Sequence, residues 1–210
     1  MKMSTLKSLN TRKMVILALL TAIVIVLQLL GAFIRFGPFS ISLVLLPIVV
    51  GAALVNNWGG GWLGFVFGAV VLISGDANLF LAIDPVATIL VVILKGTLAG
   101  LAAGVSYRFF SKFSRTIGAV TAAVVCPVVN TGVFIVGLYL FFLPTITEWG
   151  LATGFESIAA FIFIGMIGLN VLFELGLNVM LSPAIVRLIQ YAQGDPTNHS
   201  DDIGDRPGYR

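Results

Sequence analysis

The stretch PVATILVVILKGTLAGLAAGVSYRFF, residues 85–110, decides the fold class. From Pro85 to Tyr107 it holds one charged side chain, Lys95, in a run long enough to cross a bilayer. A hydrocarbon core of roughly 30 Å needs about 20 mostly apolar residues. The whole chain agrees with the stretch. Apolar residues make up 59% of its 210 positions and charged residues 10%, against roughly 25% charged in an average globular protein. A soluble fold of this size cannot cover its surface with so few charges, and mean hydropathy is +1.08. Disordered chains are poor in aliphatics and rich in charge, so that class is excluded too. Cys126 is the single cysteine, which excludes an intrachain disulfide framework, and His199, the single histidine, lies in a polar tail. No metal site and no cofactor are implied. The sequence reads as an all-α integral membrane protein.

Working outward from 85–110, five further apolar runs appear. The six predicted spans cover 13–34, 38–55, 60–74, 85–110, 117–143 and 157–181, the last extending to about 191. Gly37-Pro38, Asn56-Asn57-Trp58-Gly59, Gly75-Asp76, Pro144 and Gly154 punctuate them. Pro47 and Pro127 sit inside spans, which bilayer helices tolerate when neighbours satisfy the freed carbonyls. Lys2, Lys7, Arg12 and Lys13 precede the first run in the manner of a signal peptide. That run is longer than an h-region and lacks an A-x-A cleavage pattern, so it is expected to be the first transmembrane helix. The expected organisation is a basic cytoplasmic N-terminus (1–12), one six-helix transmembrane domain (13–191) and a disordered cytoplasmic tail (192–210), rich in Asp, Gly and Pro.

Charge sets the predicted orientation. With the N-terminus inside, Lys2, Lys7, Arg12, Lys13, Arg108, Lys112, Arg115, Arg187, Arg206 and Arg210 all fall on the cytoplasmic side, ten of the twelve basic residues. Asp76, Asp84, Glu148 and Glu156 fall outside. This is the positive-inside pattern, and it predicts both termini in the cytoplasm of a multi-pass plasma-membrane protein.

In lipid, close helix packing falls to small residues four apart. The fourth span carries Gly96, Gly100 and Gly104, and the third carries Gly60, Gly64 and Gly68, so these two rows are expected to pack inside the bundle. Ala18 and Ala22 repeat the spacing on the first span, where they either pack inside or present a smooth face to a partner in the membrane.

Polar groups at membrane depth are costly unless paired or facing water, so each is a functional candidate. They are Gln28, Lys95, Asn130, Asn170, Glu174 and Asn178. At 1.5 Å per residue, Lys95 lies about 15 Å, Asn170 about 18 Å, Asn130 about 20 Å and Glu174 about 24 Å from the outer ends of their helices. Two readings stand. In one, Lys95 and Glu174 neutralise each other and the asparagines bond between helices. In the other, they line a pocket for a small polar solute, and the Lys95 ammonium suits a carboxylate. Arg35 either binds the solute nearer the mouth or snorkels to lipid phosphate. Asp84 before Pro85 reads as a helix N-cap. Most of the aromatic residues read as belt anchors at the two membrane interfaces, with stacking on a flat solute as the alternative for Phe134, Phe163 and Trp149. No GxxxxGK[ST], HExxH or GxSxG motif occurs, so neither ATP hydrolysis nor other catalysis is expected of this chain.

Taken together, these residues resemble the substrate-binding (S) components of energy-coupling-factor (ECF) vitamin transporters. The similarity lies in six spans, in Thr11-Arg12-Lys13-Met14 followed by Leu17-Ala18-Leu19-Leu20-Thr21-Ala22, and in Ile41-Ser42-Leu43 through Leu46-Pro47-Ile48 before a Gly-rich third span. Val129-Asn130-Thr131 is similar to the Asn-Thr element of the pantothenate-type branch, whereas Asn56-Asn57-Trp58 replaces the family's usual Gly-Pro. The resemblance implies high-affinity capture of a vitamin or related micronutrient on the outer side, with Arg35, Lys95, Asn130, Asn170 and Glu174 as candidate binding residues. It further implies docking through Ala18 and Ala22 to a transmembrane coupling protein that sits on two cytoplasmic ATPases. Two rival classes are a stand-alone secondary transporter of a small organic acid, with Glu174 carrying the proton, and a non-transporting scaffold.

Overall fold

A computed structural model describes the backbone of residues 2–31, 35–36, 39–40, 43–166 and 168–193, and the side chains within 11–31, 43–166 and most of 172–191. The described residues are mostly helical, with one short hairpin in which β1 (Arg35–Phe36) pairs antiparallel with β2 (Phe39–Ser40). The helices are α1 (Lys2–Gly31), α2 (Leu45–Leu54), α3 (Asn57–Ile73), α4 (Asn78–Leu81), α5 (Pro85–Phe110), α6 (Arg115–Phe141), α7 (Leu143–Ala152), α8 (Ile158–Ala160) and α9 (Gly168–Gln193). A π-helical turn, Phe161–Met166, continues α8. Among the described residues, Thr11–Gly31, Pro85–Phe110 and Arg115–Phe141 are long and apolar enough to span a membrane, and Leu45–Leu54, Asn57–Ile73 and Leu175–Ile189 are shorter apolar helices.

The helix limits depart from the predicted spans in ways the local chemistry explains. Within the run predicted over 38–55, the helix described is Leu45–Leu54. Phe39 and Ser40 are extended, and the serines there favour non-helical backbone. α2 lies at the centre, packed on α1, α3, α5, α6 and α9, with seven of its ten residues buried. At ten residues it is one of the shorter apolar helices of the bundle. α3 starts at Asn57, ahead of the predicted 60, because the Asn56 side chain accepts a hydrogen bond from the Gly59 amide at 2.7 Å. α6 ends at Phe141, and Pro144 opens a separate helix, α7, where a loop was expected. The turns at Gly75 (φ 87°) and Gly154 (φ 81°) use left-handed backbone that glycine adopts without strain. The backbone of the last helix continues to Gln193, and 194–210, the bulk of the predicted tail, lie outside the described residues.

The two predicted glycine rows meet. A Cβ added at Gly60 would lie 2.5 Å from the Gly100 carbonyl oxygen, and one at Gly64 would run into the Gly96 carbonyl. One at Gly68 would lie 2.8 Å from the Val92 carbonyl oxygen. α3 and α5 therefore touch backbone to backbone, and they form the most extensive helix pair. Two apolar clusters result. The larger joins residues of α1, α2, α3, α5, the first half of α6 and the end of α9. The smaller joins Phe80 of α4, Ala87 of α5, Leu138 of α6, Phe142, Ile146 of α7 and residues 161, 162 and 166 of the π-helical turn.

Candidate functional site

The larger cluster includes Cys126 of α6, with Val129 packed on it, and the smaller includes Leu138, with Phe134 packed on it. Asn130 falls between them along one helix. It is 7% exposed, and its Oδ1 is buried without a hydrogen-bond partner. An acceptor left in that state costs about 1–3 kcal/mol until a donor arrives. Asn178 of α9, 2% exposed, also sits between residues of the two clusters in its own segment, with Met166 on one side and Ile185 on the other.

Lys95 reaches the same level from α5. Its backbone lies among larger-cluster residues, between Val92 and Ala99, while its Nζ lies 4.9 Å from the centre of the Phe134 ring. Phe134 is one helical turn beyond Asn130, so an ammonium, a π face and a buried amide oxygen come from two packed helices at one depth. A cation over a ring face gains about 0.5–2 kcal/mol, less than a direct bond to a carboxylate.

Above Phe134 the aromatic groups continue. The Phe80 ring centre is 5.8 Å from that of Phe134, 5.1 Å from Phe142 and 6.0 Å from Trp149. The first two pairs meet edge to face at 89° and 71°, the favourable arrangement for ring quadrupoles. Four aromatic side chains from α4, α6, the α6–α7 junction and α7 thus roof the polar residues. Trp149 and Phe134 belong to this group as the sequence suggested. Phe163, at 55% exposed, points away from the protein and takes no part. Phe80 and Phe142 were missed. Their signal is weak, a lone aromatic in the short NLFL segment and one of two adjacent Phe before a proline.

The other candidates are placed as follows. Asp84 caps α5, its carboxylate accepting from the Val86 and Ala87 amides at 3.0 Å each. Arg35 lies in β1, and Asn170 and Glu174 lie four residues apart in α9, but their side chains lie outside the described residues. Pairing of Lys95 with Glu174 therefore lies outside them as well. Ala18 and Ala22 are exposed on α1, on the face away from the buried Leu20, Val24 and Gln28. No cluster of metal-ligating side chains occurs among the described residues.

The class that these observations define is a multi-pass helical membrane protein whose bundle brings a cation, a buried amide and a group of aromatic rings together. The particular kind follows from comparison with known families. The profile described as ECF transporter, substrate-specific component, matches residues 12–186, and the chain belongs to that family. It is a membrane transport subunit that binds a small-molecule substrate and works with a coupling protein and ATPases. No curated protein and no solved structure is significantly similar to it.

Proposed function

We propose that this chain captures a water-soluble vitamin or related micronutrient carrying a carboxylate, and that the solute sits between Lys95 and Asn130 beneath Phe80, Phe134, Phe142 and Trp149. The observation that carries the reading is the meeting of the Lys95 ammonium with the Phe134 ring one turn from the unsatisfied Asn130 Oδ1. The ammonium takes the carboxylate, the amide oxygen takes a hydroxyl or N–H of the solute, and the rings take its apolar part. Asn130-Thr131 makes pantothenate the first solute to test. Arg35, Asn170 and Glu174 are proposed as further contacts.

Six apolar helices are read as the membrane bundle, with both termini cytoplasmic, which puts α4, α7 and the aromatic roof on the outer side. The run of basic residues at the α5–α6 turn, Arg108, Lys112 and Arg115, supports that orientation. Docking to the coupling protein is assigned to α1. Exposure of Ala18 and Ala22 on a helix whose spanning window is only 17% buried supports it. The chain has no catalytic role of its own in this reading, and no cofactor. Energy comes from ATP hydrolysed by its partners.

The test is calorimetric titration of the detergent-purified protein with a panel of vitamins, pantothenate first. Binding is expected, with Lys95→Ala weakening it roughly 10-fold or more, the loss of one bond to a charged group. Asn130→Ala is expected to weaken it several-fold. Unchanged affinity in both variants would refute the site. Uptake by the purified chain alone into liposomes under a pH gradient would favour the secondary-transporter alternative.

A further inference from the structure

Gln28 is 2% exposed in an otherwise apolar stretch of α1, and its Nε2 donates to Asp76 Oδ2 at 2.7 Å. The partner is not on a neighbouring helix. Asp76 belongs to the turn after α3, beside Gly75 with its left-handed backbone. From that turn the chain runs without slack into the candidate site. Asn78 N donates to Gly75 O at 3.2 Å, Phe80 N to Ala77 O at 3.0 Å, and Asp84 N to Phe80 O at 3.0 Å. Asp84 in turn caps α5, the helix of Lys95. Phe80 lies midway along this bonded segment and touches three of the roof's rings.

α1 turns little of its length to the bundle: its spanning window is 17% buried, against 44% for α5, and the bond to Asp76 lies near its outer end. The other long-range side-chain bond described for α1, Trp62 Nε1 to Thr21 Oγ1 at 3.2 Å, goes to the body of α3 and not to the site segment. A bond between a neutral amide and a carboxylate is also shorter and stronger than a neutral pair.

We infer that the Gln28–Asp76 hydrogen bond ties α1 to the 75–84 segment, so that the seating of Phe80 in the roof and the position of the outer part of α1 are coupled. Gln28 and Asp76 are positioning residues, acting on the site through the turn. The consequence for transport rests on the proposed location of the site. A solute that pushes on Phe80 shifts Asp76, and through Gln28 it shifts the helix assigned to docking. The tie itself does not depend on which solute binds.

Coupling is reciprocal, and this supplies the test. Hydrogen–deuterium exchange is measured on the full chain in lipid nanodiscs, without added solute. Gln28→Leu keeps the size and apolar fit but removes the donor. It is expected to speed exchange roughly 10-fold, the scale of a lost bond to a charged group, across 75–84 and also in 143–152, where Trp149 leans on Phe80. Phe80→Ala, at the other end, is expected to speed exchange in 25–31 of α1. Asp76→Asn keeps an acceptor and is expected to stay within about 3-fold of the parent, since a neutral bond survives; this variant also serves if Gln28→Leu does not fold, with Asp76→Ala as its broken counterpart. Changes confined to the residues flanking each substitution, with α1 unmoved by Phe80→Ala, would overturn the coupling. Failure of every vitamin to bind would instead strike the proposed site while leaving this result standing.

Discussion

The backbone contact of α3 with α5 makes a sharp forecast about adding one methyl group. In Gly64→Ala the new Cβ would run into the Gly96 carbonyl oxygen and lie 2.6 Å from its carbon and 3.1 Å from the Thr97 nitrogen. Carbon atoms rest about 3.5–4.0 Å apart, so the helices would have to part locally by about 1 Å. The obstacle is backbone, with no rotamer to escape into. Such overpacking costs about 1–3 kcal/mol, and a gap of about 1 Å forfeits a quarter to a half of each contact along the pair. Gly132 of α6 provides the control, since nothing lies within 4 Å of a Cβ built there. Gly132→Ala is expected to be neutral or to gain up to about 1 kcal/mol from the lost flexibility of glycine.

The assay is denaturant or thermal unfolding in one detergent, following far-UV helicity. Gly64→Ala is expected to melt well below the parent and Gly132→Ala at or above it. The pair Gly64→Ala with Gly96→Ala is expected to cost less than the sum of its parts, because either methyl alone already separates the same backbones. Equal stability of Gly64→Ala and Gly132→Ala would refute the close-packing argument, since helix propensity treats the two positions alike.

Other perturbations separate the parts of the molecule. Ala18→Trp with Ala22→Trp adds bulk to an exposed face, so melting and solute titration are expected to be unchanged while co-purification with the coupling protein is lost; equal loss of solute binding would count against a docking role. Asp84→Ala removes an N-cap that accepts two amide bonds and is expected to lower stability by about 0.5–2 kcal/mol, read as a fall in melting temperature, with solute affinity retained well below the melt. Phe163→Ala, on an outward-facing ring, is expected to leave affinity unaltered, in contrast to Phe80→Ala, which opens the roof and weakens it several-fold.

Much of the fold was legible because the signals were local or strictly periodic. Glycines four apart on the third and fourth predicted spans announced a close crossing, and they meet each other at Gly60–Gly100 and Gly64–Gly96. Asp84 before a proline announced a cap. Helix limits were harder to read. Residues 38–55 are apolar almost throughout, and only the structure sets α2 at Leu45–Leu54, packed on five other helices. α7 was hidden because Pro144 signals a stop and a start equally well. For the site, Lys95, Asn130, Phe134 and Trp149 stood out by polarity or by place in the chain. Phe80 did not, since a four-residue helix has no period to read, and the Gln28–Asp76 bond joins positions too far apart in sequence for any local pattern. Arg35, Asn170 and Glu174 remain candidates by sequence.

The two clusters that enclose the candidate site are built from different materials, and this bears on how a solute can enter. In the larger one, α3 and α5 meet through glycine backbones in direct contact, where movement means separating whole helices. In the smaller one lie aromatic rings on short helices and a π-helical turn, joined edge to face. Each ring pair is worth only about 0.5–1.5 kcal/mol beyond its burial, so the aromatic side rearranges at a lower cost than the helix backbones do. If the solute sits where we propose, entry over Phe80 is expected, with the α3–α5 contact unmoved. That division also accounts for the polar residues lying at the seam, where the rigid part ends and an exchangeable one begins.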